Sequence, residues 1–225
     1  MGCWFESSHR YISMGFIHHD LFLFDFDGLL VDTEPLHYQA YKDALASYGV
    51  LFDWDFNRYC QFAHAGTKIF SDAVYADFPN LPERDWEVVR EKKKICYLEL
   101  VKAGPVCLMP GVEVFVQDLL SKGLKCCIVT NSTRQELEFV AKHLPLVKDL
   151  EWIAREDYAR AKPAPDGYLE ACKRFSGKNP VGFEDTLKGV LALKAAGVRP
   201  VLVCADCHPQ LMDERLIGVE HHQRM

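Results

Sequence analysis

The sequence predicts an α/β fold, in which a Rossmann-like parallel sheet core is flanked by helices and carries an inserted α-helical cap domain. Four short apolar runs are typical of strands buried on both faces of a parallel sheet, and amphipathic segments between the later runs indicate helices. About 70 residues after the first run contain helical patterns only, which indicates the insertion. The apolar runs are 21-LFLF-24, 126-CCIVT-130, 181-VGF-183 and 201-VLVC-204.

Residues 1–19 precede the first strand, and we expect them to form an N-terminal extension outside the fold. They lack the basic segment and continuous apolar segment that an export signal requires. The first strand, 21–24, ends at two carboxylates, Asp25 and Asp27. Because these like charges lie close enough to repel each other, we expect a cation between them.

The segment 37–107 is predicted to be a helical insertion over the strand ends, between two parts of the core, 20–36 and 108–225. Apolar and aromatic residues at helical spacing predict three helices in this part of the chain. The longest follows Pro82 and has acidic residues in its first turn and Lys102 before Gly104, in keeping with the helix dipole. The three predicted helices are 36–49, 67–78 and 83–104.

Helices are also predicted between the later strands. The segment 111–123 has apolar residues at helical spacing and stops at Gly123, a residue suited to a left-handed cap. The sequence 133-TRQE-136 is a capping box that opens a helix over 134–144, and 187–197 again ends at a glycine. Strands joined in this way form right-handed crossovers and bind ligands at their carboxyl ends. The carboxylates after the first strand lie at such an end.

The composition favours a soluble protein that acts on small molecules. With 49% hydrophobic and 26% charged residues, the chain can bury a sizeable core. A formal net charge of −6 argues against general binding to nucleic acid or to an anionic membrane. No stretch reaches the ~18 to 20 apolar residues of a transmembrane helix. The nine cysteines are scattered, as the free thiols of a reducing compartment are, and we expect a cytoplasmic monomer.

The segment 204-CADCH-208 has three interpretations. Its C-x-x-C-H spacing is that of covalent haem attachment, but that chemistry needs an oxidising compartment. Its side chains could instead bind zinc together with a later histidine. The interpretation we favour is a strand end that runs into a loop. The residues of the zinc site would be Cys204, Cys207 and His208 with His221 or His222.

The carboxylates at the end of the first strand fit phosphoryl transfer. Asp25 could attack a phosphorus atom, giving an acyl phosphate that water cleaves in a second step. Asp27 projects to the same side if the strand geometry persists, and it could protonate the departing alkoxide and then deprotonate the incoming water. A divalent cation would relieve the repulsion, and oxygen-only ligands point to Mg²⁺. A D-x-D pair alone, however, is also common at helix caps and turns.

Two further segments supply groups for a phosphate. Thr130 ends the second strand, where its hydroxyl and the following backbone N–H groups, from Asn131 onward, can hold phosphoryl oxygens near a helix N-terminus. Lys162 lies on a loop stiffened by Pro163 and Pro165, so its ammonium is a fixed charge that can neutralise the nucleophile and the phosphoryl group. The alternative for Thr130 is a β-branched strand residue that precedes a helix cap. The alternative for Lys162 is a solvated loop lysine.

A second acidic pair, Glu184 and Asp185, ends the third apolar run and is placed to bind the same metal ion. The alternative is an N-cap for the helix that begins near Thr186. On the first interpretation, acidic side chains from separate segments converge on one Mg²⁺ ion.

Four segments together resemble the four motifs of the haloacid dehalogenase superfamily, in the branch of β-phosphoglucomutase and phosphoglycolate phosphatase. They are DFDGLLVDTE, VTNS, AKPAPD and GFEDT, in this order and each after an apolar strand. The resemblance extends from Asp20 to about Cys204, and it implies a Rossmann-like core with a helical cap inserted after the first motif.

The resemblance also implies a role for each motif residue. Asp25 would be the nucleophile and a Mg²⁺ ligand, and Asp27 would be the acid/base, with its backbone carbonyl on the metal. The remaining residues are Thr130 and Lys162, which would bind phosphate, and Asp185, which would ligate Mg²⁺ with support from Glu184.

The predicted function is a Mg²⁺-dependent phosphatase that hydrolyses a small phosphate monoester, a sugar phosphate or similar metabolite, through an aspartyl-phosphate intermediate. A sugar phosphomutase is the alternative, since both reactions use the same groups and differ in how the cap closes against water. His37, within EPLH, is a candidate substrate contact that mutases and phosphatases of the branch share. The segment 64–70, with Lys68 as a further candidate contact, departs from the cap loop expected of a mutase and favours the phosphatase. A catalytically idle protein that binds a phosphorylated ligand is disfavoured by the complete set of groups.

Overall fold

The computed structural model describes residues 16, 18–204 and 213–223. They form two compact units. The α/β unit contains the described residues up to Asp32 and from Cys107 onward, and the helical unit is Thr33–Val106. The limits predicted for the cap, 37 and 107, stay a prediction. Within the described residues, no helix is both long enough and apolar enough to cross a membrane.

The α/β unit is built on one parallel sheet, with the strand order β3-β2-β1-β4-β5-β6 among the described residues. From β1, the chain adds strands on one side up to β3 and then returns to the other side of β1 with β4. This reversal of direction creates a switch point between β1 and β4, which is where open parallel sheets bind ligands. The strands are β1 Leu21–Phe24, β2 Lys125–Val129, β3 Glu151–Ile153, β4 Pro180–Glu184, β5 Arg199–Cys204 and β6 Glu220–Gln223.

The register of the central strands brings their carboxyl ends together. Phe24, the last residue of β1, pairs with Ile128 on one side and with Phe183 on the other. Every residue of β1 is buried, as its continuous apolar run predicts. The predicted fold class, a Rossmann-like parallel sheet flanked by helices, is confirmed.

Helices connect the strands of the α/β unit, and the capping box and terminal glycines predicted for these helices are present. The capping box at Thr133 and Glu136 is present, with the Thr133 hydroxyl accepting from the Glu136 N–H group. Gly123 and Gly197 follow helices with φ of 73° and 71°, the left-handed conformation that glycine adopts without strain. The helices are α5 Val112–Ser121, α6 Arg134–Ala141, α7 Pro145–Asp149, α8 Asp166–Phe175 and α9 Leu187–Ala195, with 3₁₀ turns at Arg155–Asp157 and Glu214–Leu216.

Part of the predicted N-terminal extension packs on the α/β unit. Phe16 is buried, and its ring centroid lies 5.5 Å from that of Phe183. His19 is also buried, with its Nδ1 atom 2.9 Å from the Asn179 carbonyl oxygen. We expected residues 1–19 to lie outside the fold, whereas the aromatic side chains at 16 and 19 bury apolar surface against β4 and its preceding turn.

The helical unit contains four described helices around an aromatic core. Trp54 illustrates its packing, since the ring lies against Phe52 and Phe78 while the indole N–H donates to Asp77 Oδ2 at 2.7 Å. Three of the helices agree with the predicted segments to within a few residues, but the second was not predicted. The helices are α1 Glu34–Ala46, α2 Phe56–Ala65, α3 Thr67–Asp77 and α4 Trp86–Ala103.

Candidate active site

Asp25 lies directly after β1, at the switch point of the sheet. Its backbone N–H donates to the Phe183 carbonyl at 3.0 Å, so the pairing of β1 with β4 continues through this residue and fixes its direction. Its side chain is 13% exposed, which leaves a small part of the carboxylate open to a ligand. The buried strand therefore holds a charged group rigidly at the sheet edge.

Asp27 lies in the turn that follows. Gly28 has a φ of 76°, and its N–H donates to the Val31 carbonyl at 2.9 Å, so the chain reverses tightly after Asp27. The Ser132 hydroxyl, from the segment after β2, donates to Asp27 Oδ2. Ser132 was not among the predicted site residues, although it belongs to the VTNS motif. Its role depends on the pairing of β1 with β2, which places the two turns side by side.

Lys162 is the central cation of the site. Its Nζ atom donates to Asp25 Oδ1 at 2.6 Å, to the Val129 carbonyl at 2.7 Å and to Glu184 Oε1 at 2.6 Å. An ammonium has three protons, so all three are used. Burial alone would lower the pKa of Lys162, but the Asp25 and Glu184 carboxylates outweigh burial and raise that pKa well above its usual value. The alternative of a solvated loop lysine is wrong, because the side chain is 4% exposed.

Glu184 and Asp185 end β4 on the other side of the switch point, and both are buried. Glu184 Oε1 accepts from Lys162 and also from the Tyr168 hydroxyl of α8. Burial and the nearby Asp25 carboxylate raise the pKa of Glu184 to about 8, against the opposing effect of Lys162. The alternative role of this acidic pair, as an N-cap, is wrong, because the Thr186 hydroxyl caps α9 instead.

Gly189, in the first turn of α9, lies directly against the carboxylate of Glu184. A β-carbon built on Gly189 would overlap the carboxylate atoms. Glycine at this position therefore lets the helix approach the buried glutamate, as glycine does wherever backbone and another group come close.

Three carboxylates converge on one point in the α/β unit. Asp25, Glu184 and Asp185 each offer an oxygen atom, and these atoms all lie within 4.8 Å of one another. Glu184 Oε2 is buried and has no hydrogen-bond partner among the described residues, as expected of an atom that faces a ligand or an ion. A set of carboxylate oxygens suits a hard cation such as Mg²⁺. The residues at this point thus fit the predicted magnesium site.

Thr130 and Asn131 follow β2 beside Lys162. The Thr130 hydroxyl accepts from the Ser132 N–H at 3.0 Å and is almost fully buried. Asn131 Oδ1 accepts from the Lys162 N–H at 3.0 Å, so the side chain of this residue, whose backbone N–H was predicted to bind substrate, supports the lysine loop. The Tyr158 hydroxyl, which was not predicted, lies 2.6 Å from the Thr130 carbonyl and 2.9 Å from Asn131 Oδ1. These contacts fix the segment between β2 and α6.

The candidate substrate contacts His37 and Lys68 belong to the helical unit. The His37 ring stacks on Tyr97 with centroids 4.2 Å apart, and its Nδ1 atom lies 2.6 Å from Lys93 Nζ. Lys68 is exposed and forms an ion pair with Asp72 at 2.7 Å. That His37 and Lys68 contact the substrate stays a prediction.

The zinc site proposed for CADCH is described only in part. Cys204 is buried at the end of β5, with its Sγ atom 3.6 Å from His221 Nε2. His222 Nε2 lies 2.7 Å from the Glu220 carboxylate. Cys207 and His208 lie outside the described residues, so this alternative stays open.

A comparison with known families identifies the family of the chain. A family model described as haloacid dehalogenase-like hydrolase matches residues 19–197. The chain belongs to the haloacid dehalogenase-like hydrolase family. The predicted resemblance to this family is confirmed, and the chain is an enzyme of its hydrolase class.

Similar proteins of the family include named phosphatases. The phosphorylated carbohydrates phosphatase of Thermotoga maritima is 30% identical over 204 residues, which are 88% of this chain and 84% of that protein. Hexitol phosphatase B of Escherichia coli is 34% identical over 191 residues, 81% of this chain and 82% of that protein. A crystal structure of β-phosphoglucomutase from Clostridium difficile covers 82% of this chain and 84% of its own, with a TM-score of 0.64 and 22% identity. That last similarity concerns the fold alone.

Proposed function

We propose that this haloacid dehalogenase-like hydrolase is a Mg²⁺-dependent phosphatase that hydrolyses a small phosphate monoester, a sugar phosphate or similar metabolite, through an aspartyl-phosphate intermediate. The observation that supports it most is the Lys162 ammonium, which lies between Asp25 and Glu184 at the switch point of the sheet. The names of the phosphorylated carbohydrates phosphatase and hexitol phosphatase B support the substrate class.

Asp25 is the proposed nucleophile. Lys162 binds its Oδ1 atom, which orients the carboxylate and offsets its negative charge next to an anionic phosphoryl group. One carboxylate oxygen attacks phosphorus and forms the acyl phosphate, and the ester P–O bond breaks. The Lys162 charge also offsets the negative charge on the phosphoryl oxygens, as a fixed cation does in a preorganised site.

Asp27 is the proposed general acid and base. It gives its proton to the departing alkoxide in the first step. It then removes a proton from the water that attacks the acyl phosphate, which releases inorganic phosphate and restores the Asp25 carboxylate. The Ser132 hydroxyl, which donates to Asp27 Oδ2, orients this carboxylate between the two steps.

Asp25 and Asp185 are the proposed magnesium ligands, with the Asp27 backbone carbonyl, and Glu184 supports them. When bound, Mg²⁺ would neutralise charge on the phosphoryl oxygens. Glu184 Oε1 is already occupied by Lys162 and Tyr168, so its contribution to the metal is limited to its other oxygen or to orientation. Thr130 and the N–H groups at the start of the following segment are proposed to bind the phosphoryl oxygens.

A panel of phosphate monoesters, including sugar and hexitol phosphates, tests this function through Mg²⁺-dependent release of inorganic phosphate. We expect Asp25→Asn to reduce kcat by a factor on the order of 10³ or more, as loss of a nucleophile does. Undiminished turnover in that variant would contradict the nucleophile assignment. Conversion of a sugar 1-phosphate into its 6-phosphate without phosphate release would instead support the mutase.

A further inference from the structure

A second group of metal-binding side chains lies in the helical unit. Glu34 is the first residue of α1, and Cys60 and His64 belong to α2. Each offers one ligand atom, and the three atoms all lie within 4.8 Å of one another. Because Cys60 and His64 are four residues apart, they face the same side of their helix. This group, Glu34–Cys60–His64, belongs entirely to the helical unit, Thr33–Val106. It shares no residue with the acidic site, which is the group of three carboxylates at Asp25, Glu184 and Asp185.

The distances between the ligand atoms fit an ion with tetrahedral coordination. His64 Nε2 and Glu34 Oε1 are 3.4 Å apart. Zinc bonds of ~2.0 to 2.1 Å at a tetrahedral angle place a nitrogen and an oxygen ligand roughly 3.3 to 3.4 Å apart. A direct charge-assisted hydrogen bond would instead hold the two atoms at about 2.7 to 2.9 Å. The side chains of His64 and Glu34 are 13% and 15% exposed, so the two ligand atoms are largely shielded from water, which would strengthen the binding of an ion.

The donor chemistry selects the ion. One thiolate, one imidazole and one carboxylate form a mixed sulfur, nitrogen and oxygen set, which suits Zn²⁺ and other borderline transition metals. Mg²⁺ prefers oxygen ligands only, so it is the ion proposed for the acidic site and a poor competitor here.

We propose that Glu34, Cys60 and His64 bind one Zn²⁺ ion, with a fourth position left for water. Cys60 is half-buried, which leaves a path for the ion to enter. The ion would join the start of α1 to the end of α2 and so stabilise the helical unit, because it binds the folded group and not the unfolded chain. The proposal does not depend on the phosphatase reaction.

Cobalt provides a direct test, because a thiolate bound to Co²⁺ gives an intense charge-transfer absorption in the near ultraviolet. The full chain is stripped with a chelator, supplied with excess Mg²⁺ to fill the acidic site, and titrated with Co²⁺. We expect the absorption to saturate at one equivalent. Cys60→Ser should abolish it, whereas Cys96→Ser, which changes another half-buried cysteine of the helical unit, should leave it unchanged.

Zinc competition against a chromophoric chelator gives a second measurement. His64→Gln and Glu34→Gln should each weaken Zn²⁺ binding about tenfold or more, since each removes a ligand. Far-ultraviolet circular dichroism confirms that each variant is folded. Cys207→Ser, which lies outside the described residues, separates this group from the CADCH segment. Two results would each overturn the proposal: no thiolate absorption in the wild type, or absorption that persists in Cys60→Ser. In the second case, loss of the absorption in Cys207→Ser would assign the metal to the CADCH segment instead.

Discussion

The individual residue that matters most is Lys162, because it places a positive charge between the partly buried carboxylate of Asp25 and the buried carboxylate of Glu184. Its ammonium is shared by Asp25, Glu184 and a backbone carbonyl. Each of these contacts is made inside the protein, where an uncompensated charge is expensive. The electrostatics of the candidate site therefore link the proposed catalysis to stability at this one side chain.

Replacing this lysine should harm both properties. In Lys162→Met, Asp25 and Glu184 would face each other without the intervening cation. We expect the free energy of unfolding to fall by about 3 to 5 kcal/mol, the range found when one partner of a buried ion pair is removed, and phosphatase activity to be lost. Urea unfolding in the presence of a chelator measures the first effect. Lys68→Met, at an exposed ion pair, is the control and should change stability by less than about 1 kcal/mol.

Tyr168 permits a more selective change at the same place. Its hydroxyl donates to Glu184 Oε1, and the residue is fully buried. Tyr168→Phe keeps the ring but leaves Glu184 with one donor fewer, so we expect a loss of about 1 to 3 kcal/mol in stability and a reduced kcat. Steady-state kinetics and thermal unfolding measure both. Tyr75→Phe in the helical unit is the matched control, and equal losses in the two variants would contradict a specific role for Tyr168.

The sequence predicted the charged residues of the site but not the residues that orient them. Asp25, Lys162 and Glu184 stand in motifs with polar groups after apolar runs, so their chemistry is visible locally. Tyr168, by contrast, occurs in the first turn of α8 and resembles an ordinary core residue. Only the order of the strands places it against Glu184, which no local pattern can show.

At the scale of elements, the close approach of α9 to β4 is the feature most sensitive to change. Gly189→Ala would place a β-carbon into the Glu184 carboxylate. Because that carboxylate is held by Lys162 and Tyr168, it cannot move freely, and we expect about 1 to 3 kcal/mol of destabilisation together with reduced activity. Gly104→Ala is the control, since its nearest contact would be an ordinary 3.7 Å. Thermal unfolding that shows Gly104→Ala to be the more damaging change would contradict this account.

The two strands that the sequence did not predict lack the apolar pattern on which strand prediction depends. β3 has three residues, and the sequence of β6, Glu220–Gln223, is polar and contains no apolar run. Both lie at the edges of the sheet, where one neighbouring strand is enough and the continuous apolar pattern of a central strand is not required. The central strands β1, β2, β4 and β5 were predicted because burial on both faces demands that pattern.

At the scale of the whole molecule, the chain combines an α/β unit and a helical unit with separate cores. The α/β alternation and the helical insertion were both predictable from the pattern of apolar residues. That pattern changes along the chain from continuous runs, typical of buried strands, to helical spacing. Cytoplasmic location, a monomeric state and the absence of nucleic-acid or membrane partners stay predictions. They depend on surfaces and compartments that neither the apolar pattern nor the strand order determines.

Metal binding should be visible in the stability of the entire protein. Asp25, Glu184 and Asp185 bring negative charge together, and a divalent cation that binds only the folded arrangement stabilises it by mass action. At a Mg²⁺ concentration about 100 times the dissociation constant, we expect the Tm of chelator-treated protein to rise by roughly 5 to 10 °C.

The variant Asp185→Asn shows whether that stabilisation arises at the acidic site. It removes one carboxylate from the three, so the rise in Tm with Mg²⁺ should become much smaller, while Asp72→Asn, at an exposed ion pair of the helical unit, should respond as the wild type does. Differential scanning fluorimetry with and without Mg²⁺ makes the comparison for all three proteins. If Asp185→Asn gained as much from Mg²⁺ as the wild type, the cation would bind elsewhere, and the proposed convergence of carboxylates on one magnesium ion would be wrong.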